Sequence, residues 1–273
     1  MAIARSEPFA EQSCPLAICD GSGWILGPED VARPCECREQ RMKRGRNKGV
    51  ASVIPPRYRG VSFDRPPVSD MARSLETKVA VTRTREFIDE LDENLEAGRG
   101  IWFLGDVGTG KTTLAMLVSK TALERGHSVA IYSMPKLLAR IRRTFETEPG
   151  ADSYSQFFER LTSVDLLHID DLGAEKQTEW VIEQLYSIVN ERYEAQRSIM
   201  FTTNTAQVEE ERESGKAKPP QKRDPELAVE RQIGKRTFSR LVEMCGDPIM
   251  VLGPDQRTHT PVAPAAPDRL IAP

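Results

Sequence analysis

Ile101-Trp-Phe-Leu-Gly-Asp-Val-Gly-Thr-Gly-Lys-Thr-Thr113 is the stretch whose reading decides the fold. Four apolar residues run into Gly105-x-x-x-x-Gly110-Lys111-Thr112, and a helical pattern follows at once. Strand, glycine-rich turn and helix in that order make a phosphate-binding P-loop. Gly105, Gly108 and Gly110 allow backbone turns that side chains would forbid. The amides along Gly105, Asp106, Val107, Gly108, Thr109 and Gly110 can then surround phosphate oxygens. The positive end of the next helix, with Lys111, Thr112 and Thr113 in its first turn, faces the same anion. Lys111 supplies a charge for the β- and γ-phosphates, and the Thr112 hydroxyl suits a Mg2+ ligand position. The strand before and the helix after favour nucleotide binding over a fortuitous glycine-rich turn.

Two later strands end in polar residues that such a site needs. Val164-Asp-Leu-Leu-His-Ile-Asp170-Asp171-Leu-Gly173 carries two acids at its C-terminal end, a Walker B pattern. Asp170 is expected to hold the Mg2+ water shell and Asp171 to polarise the attacking water. His168, in mid-strand, reads as a packed core residue without chemistry. Ser198-Ile-Met-Phe-Thr-Thr-Asn204 ends in an asparagine that can reach the γ-phosphate or the lytic water.

The first 60 residues differ from the rest. Cys14-x4-Cys19-x15-Cys35-x-Cys37 has the two-plus-two layout of a zinc site, with Gly21-Ser22-Gly23-Trp24 as a tight turn. Four thiolates would complete a tetrahedral Zn2+ shell and staple a segment too short to own a core. Four unrelated free thiols, or a labile disulfide, are the competing readings. From Arg33 to Arg59, nine Lys or Arg stand against two Glu. The run Arg38 to Lys48 reads as a solvated linker or as a patch for nucleic acid or an acidic partner.

Composition bounds the rest. The chain has 273 residues, 39% hydrophobic and 29% charged, with net charge −3. No apolar run approaches the roughly 18 residues needed to span a membrane, and a signal-peptide core is lacking. With thiols clustered as for metal, a cytoplasmic protein without membrane contact is expected.

Pro55-Pro56 and Pro66-Pro67 bracket an extended Arg57-Tyr-Arg-Gly-Val-Ser-Phe63, where the main domain begins. Apolar residues at 71, 75, 79, 88, 91 and 95 predict one helix, or two in tandem, over Met71–Ala97, with Gly98 as the stop. The P-loop helix turns Leu114, Leu117, Val118 and Ala122 inward and ends at Gly126, before a strand at Ser128–Ser133. Lys136–Phe158 is helical with a break at Pro149-Gly150. Its Lys136, Arg140, Arg142 and Arg143 beside Phe145 form either a plain amphipathic face or a surface for single-stranded nucleic acid. A helix over Thr178–Ala195, an irregular loop over 207–226, a helix to Cys245 after Gly234 and a strand over Pro248–Leu252 complete the reading.

At Gly105–Thr112, Asp170-Asp171, Thr202-Thr-Asn204 and Arg236-Thr-Phe-Ser-Arg240-Leu the chain resembles the DnaC/DnaI-type helicase loaders, of the DnaC/IstB branch of AAA+ ATPases. The similarity runs from Ile54 to Arg257 and takes in Arg57–Phe63 and Asn190-Glu-Arg-Tyr193. Cys14, Cys19, Cys35 and Cys37 look like the N-terminal cysteine cluster of several such proteins. The resemblance implies an α/β fold: a five-stranded parallel sheet flanked by helices, without a C-terminal helical lid, plus a small zinc-binding N-terminal segment. It makes Asn204 the sensor 1 residue, Arg240 the arginine finger acting in trans (with Arg236 its rival) and Arg257 the sensor 2 arginine. Asp171 stands where many AAA+ proteins have the longer Glu, which implies slow or DNA-stimulated hydrolysis. The implied domains are a Cys-rich region with basic linker over 1–50, a linker and leading helix over 51–98, the ATPase domain over 99–257 and a Pro-rich disordered tail over 258–273. The implied function is ATP-dependent loading of a replicative hexameric, DnaB-type helicase onto single-stranded DNA by a ring or helical oligomer, with ATP, Mg2+ and Zn2+ as cofactors. The alternatives are an IstB-type transposition helper and an ATP-gated adaptor with negligible hydrolysis.

Overall fold

The computed structural model describes residues 14, 16–19, 24–26, 32–37, 54–145, 153–173, 178–204 and 225–256. Within the N-terminal part, strands β1 (Trp24–Leu26) and β2 (Ala32–Pro34) pair antiparallel, Trp24 opposite Pro34. The basic run at 38–48, the turn at 21–23, the break at Pro149-Gly150, the loop over 207–224, Arg257 and the tail over 258–273 lie outside the described residues.

From residue 54 the order is a single 3-10 turn at Pro56–Tyr58, then α1 (Val68–Met71), α2 (Lys78–Asp89), α3 (Leu91–Glu96), β3 (Ile101–Gly105) and α4 (Lys111–Glu124). Next come β4 (Val129–Ser133), α5 (Met134–Arg143), α6 (Tyr154–Ser163), β5 (Leu166–Leu172), α7 (Glu179–Glu194) and β6 (Ser198–Asn204). The described chain ends with α8 (Pro225–Ile233), α9 (Lys235–Cys245) and β7 (Ile249–Met250). The five strands from β3 onward form one parallel sheet in the order β4-β5-β6-β3-β7. Helices cover both faces, as the period-two split of β3 requires. Trp102 and Leu104 join a core with Leu137, Phe157, Leu185 and Phe201, while Ile101 and Phe103 join a second with Leu91, Leu114, Leu117 and Val118. The expected five-stranded α/β architecture is what the chain adopts.

Local chemistry sets the element ends. Ser153 and Gln156 form a capping box at the start of α6, and the Thr178 hydroxyl accepts the Val181 amide at the start of α7. The leading helix divides into α2 and α3 in tandem, after the separate turn α1. Of its apolar positions Met71, Ile88, Leu91 and Leu95 are buried, but Leu75 is 92% exposed and Val79 65%. The chain between Met71 and Lys78 is a turn, held by Thr77 Oγ1 donating to Met71 O at 2.6 Å, so the helical period does not carry through it. Pro225 and Glu226, expected in a loop, open α8. A proline in a first helical turn gives up no amide that the turn would use. The last strand is two residues long, and Leu252 is half exposed.

His168 is fully buried and exchanges a 2.9 Å hydrogen bond with Ser119 through Nδ1. Burial pushes its imidazole down to about 3, so it stays neutral in the core. Arg192, also fully buried, donates to the carbonyls of Leu161, Thr162, Val164, Asp165 and Ser198, tying the end of α6 to the starts of β5 and β6. No helix among the described residues is long and apolar enough to cross a membrane.

Candidate nucleotide-binding site

The loop after β3 folds tightly because glycine stands where it must. Gly108 and Gly110 have φ of +81° and +104°. A Cβ on Gly110 would come within 2.8 Å of the Met71 thioether from α1, which would have to shift, and the positive φ strains any side chain there. Thr109 Oγ1 donates to Asp106 O at 2.9 Å, and Lys111 Nζ donates to the same carbonyl at 2.6 Å. Lys111 is only 4% exposed.

In front of the loop is a cavity of about 310 Å3. Val107, Gly108, Gly110, Lys111, Thr112, Thr113, Asp171 and Asn204 all line it. Gly105, Asp106 and Thr109 build the loop behind that surface. The sheet order explains how residues so far apart in sequence meet. Strand β6 lies between β3 and β5, with Gly105 opposite Asn204, so the asparagine ends between the loop and the acids.

The acids depart from regular strand geometry. Ile169 pairs with Phe201 and Leu172 with Thr203, so Asp170 and Asp171 together oppose Thr202. This is a β-bulge. Asp171 has φ +57°, left-handed for a non-glycine residue, at a cost of about 1–3 kcal/mol that its surroundings must offset. Thr202 Oγ1 donates to Asp170 Oδ1 at 2.8 Å and accepts the Asp171 amide at 2.9 Å. Thr112 Oγ1 also donates to Asp170 Oδ1, at 2.9 Å, and Asn204 Nδ2 donates to Asp171 Oδ1 at 3.1 Å. Adjacent strand residues ordinarily face opposite sides. Here the bulge brings both acids into one hydrogen-bonded group with Thr112 and Asn204.

Arg236 and Arg240 are not among the cavity's lining residues. Both lie on α9, Arg236 exposed and Arg240 half-buried. The Arg240 guanidinium lies 5.2 Å from the Tyr186 ring centroid and 5.5 Å from that of Tyr193, and Nη1 donates to Arg236 O. Arg257, beyond the described residues, has no position to report. Four lining residues escaped the sequence reading: Arg57, Tyr58 and Pro67 from the approach segment, and Gln256 from the segment after β7. Thr202 escaped too. It was quoted only within the Thr202-Thr-Asn204 stretch, and the signal for its role was its place two residues before Asn204, on the same side of the strand.

The N-terminal cysteines gather at a second site. The sulfurs of Cys14, Cys19, Cys35 and Cys37 all lie within 4.8 Å of one another, with Cys14–Cys35 at 3.9 Å and Cys19–Cys37 at 3.5 Å. A tetrahedral shell with Zn–S bonds of 2.3 Å would set them about 3.8 Å apart, whereas a disulfide needs about 2.05 Å. Backbone amides of Cys19, then Ile18 and Leu16, turn toward Cys14 and lower its thiol to about 6. Burial, then the other sulfurs, raises Cys37 well above the usual thiol range. Four thiols this close cannot all ionise unless a cation joins them. The cluster could hold a metal ion, and the donor set fits zinc.

The profile of the family described as IstB-like ATP binding protein matches residues 70–214, more than half of the chain. The chain belongs to this family, within the DnaC/IstB branch of AAA+ ATPases. Among curated relatives, it is 28% identical to the replicative helicase loader DnaC of Escherichia coli strain K12 over 170 residues. That match covers 62% of this chain and 64% of the loader, so the chain spans less than two thirds of that relative's length. Among solved structures, the crystal structure of the DnaC helicase loader superposes with a TM-score of 0.56 at 22% identity, covering 72% of this chain and all of that one. The replication initiator DnaA bound to AMPPCP and single-stranded DNA gives 0.51 at 19%, covering 72% and 50%. At these identities the two structures bear on the fold alone.

Proposed function

We propose that the protein is an ATP-hydrolysing loader of a replicative hexameric, DnaB-type helicase onto single-stranded DNA, acting in the cytoplasm. The observation that carries the ATPase part is the cavity that Lys111, Asp171 and Asn204 line together, with Asn204 bonded to Asp171. In this reading residues 105–113 bind the nucleotide and Lys111 neutralises its β- and γ-phosphates. Thr112 and Asp170, joined by a hydrogen bond, would hold Mg2+, whose charge would offset that of the phosphoryl oxygens. Asn204 orients the Asp171 carboxylate, which takes the proton of the attacking water. Arg240 completes the neighbouring subunit's site in a ring or helix, and Arg257 serves as sensor 2.

The domain assignment stays as read from the sequence: a partner-binding, metal-stapled region over 1–50, a linker and leading helix over 51–98, the ATPase over 99–257 and a tail over 258–273. The helicase partner is taken over from the DnaC relative's name, and single-stranded DNA from the DnaA neighbour's description. A surface of this chain supports the DNA contact. Phe145 stacks on Tyr154, and Tyr154 on Phe158, with centroids 5.1 and 5.6 Å apart. Beside this ladder Arg142 lies 4.9 Å from the Trp180 ring centroid, and Phe145 is more than half exposed. Tyr154, Phe158 and Trp180 pack on the core, so the exposed Phe145 ring with Arg142 and Arg143 nearby is the part that suits a single strand.

The test is steady-state hydrolysis of ATP with and without single-stranded DNA, on wild type and Asp170→Ala. Wild type is expected to turn over slowly and faster with DNA, and Asp170→Ala to bind nucleotide but lose Mg2+-dependent turnover. Binding without turnover in the wild type would leave an ATP-gated adaptor. The family profile also favours a second reading, an IstB-type transposition helper, which co-purification with a transposase rather than a helicase would select.

For the cysteine cluster we expect about one zinc per chain, released by a thiol-reactive reagent. Cys37→Ser is expected to lose most of it, because an alkoxide-poor hydroxyl is a weak fourth ligand. Metal analysis that finds none in protein made without chelators removes the zinc assignment.

A further inference from the structure

We propose that Thr202 is a positioning residue for the acidic pair, its one hydroxyl holding both Asp170 and Asp171 in the geometry that the proposed ATPase needs. The inference rests on that ATPase reading for its consequence, but its geometry stands alone.

Thr202 is fully buried and is the single residue opposite the two bulged acids. A bulge of this kind breaks the ladder and leaves an extra residue without its regular partner. The Asp171 amide finds Thr202 Oγ1 instead, at 2.9 Å. The hydroxyl has one proton to give, and it gives it to Asp170 Oδ1 at 2.8 Å. Donor and acceptor roles are therefore both fixed. Without the hydroxyl, the part-buried Asp171 amide loses this bond, at a residue already held at φ +57°. This bond on the backbone and Asn204 on the carboxylate both hold the left-handed conformation. When Thr202 is changed, Asp170 keeps Thr112 and the Asp171 carboxylate keeps Asn204, so the Asp171 backbone is what the change releases.

This ordering predicts an asymmetric phenotype. Nucleotide affinity depends on the loop and on Lys111, which Thr202 does not touch. Turnover depends on where the Asp171 carboxylate sits. Thr202→Val keeps the shape and removes only the hydroxyl. Thr202→Ser keeps the hydroxyl and removes a methyl group.

Three readings are taken on wild type and both variants: nucleotide Kd, turnover at saturating ATP, and hydrogen exchange at the Asp171 amide. Thr202→Val is expected to exchange that amide about tenfold faster and to turn over ATP about tenfold more slowly, from the loss of one hydrogen bond at the Asp171 backbone, with Kd within about threefold. Thr202→Ser is expected to restore both. The proposal is overturned if Thr202→Val turns over ATP like wild type, or if Thr202→Ser fails as badly as Thr202→Val, which would make the methyl group and not the hydroxyl responsible. A wild type that never hydrolyses ATP sinks the ATPase reading instead. The amide exchange then decides alone whether Thr202 anchors Asp171, and unchanged protection in Thr202→Val overturns it.

Discussion

Lys111→Ala is expected to weaken ATP binding by about a hundredfold or more, or about 2.8 kcal/mol. Lys111 lines the cavity yet is almost wholly shielded from water, and its ammonium donates to the Asp106 carbonyl. A buried ammonium meeting phosphate makes charge-assisted hydrogen bonds, each stronger than a neutral one. Alanine removes these and leaves the phosphates only amides and the helix terminus. Titration of a fluorescent ATP analogue measures the loss, and thermal unfolding without nucleotide checks that the loop has survived. Normal hydrolysis by Lys111→Ala would mean that the cavity is not where the nucleotide reacts.

Arg240→Ala is expected to bind ATP nearly as well as wild type and to hydrolyse it about a thousandfold more slowly, since a finger acts on the charge of the transition state. The structure adds a packing role for the same side chain. Arg240 lies against Tyr186 and Tyr193, and Tyr193 in turn donates its hydroxyl to Glu243 at 2.7 Å. Removing the guanidinium therefore also removes packing between α7 and α9, worth about 0.5–2 kcal/mol for a half-buried cation–π contact. Mixing Arg240→Ala with Lys111→Ala separates the two effects. Each lends the other its missing part at a shared interface, so activity returns if Arg240 acts across subunits and does not if it only braces a helix. Arg236→Ala, run alongside, tests the rival guanidinium.

The central strands and the loop were legible because their signals are local. Four apolar residues before a glycine-rich turn, an apolar run ending in two acids, and another ending in asparagine need no knowledge of neighbours. The cysteine cluster was legible from spacing. Strand order was not, since pairing β6 between β3 and β5 depends on contacts between segments far apart. Thr202 was hidden for the same reason: its role exists only once a bulge on β5 places two acids opposite it. Leu75 and Val79 misled by fitting a helical period that a turn interrupts, and Pro225 by looking like a loop residue when it opens a helix. Arg57 and Tyr58 were noticed as part of a motif, yet their place on the cavity wall follows from how the approach segment wraps the P-loop helix, where Lys120 Nζ donates to Val61 O at 2.9 Å.

The position of β3 also bears on how the chain is made. Its two sheet neighbours, β6 and β7, both come later in the sequence. As the chain leaves the ribosome, Ile101-Trp-Phe-Leu104 emerges with both edges bare and waits on the order of ten seconds for residues 198–204 and 249–250 to follow. An uncharged, aromatic, unpaired segment of this kind is an aggregation hazard while it waits. The α4 helix and the turn through Met71 can cover one face during that interval, but neither supplies a strand edge. Nascent chains with no more than residue 198 outside the ribosome should therefore engage holdase chaperones at this segment, and chains released at full length should not.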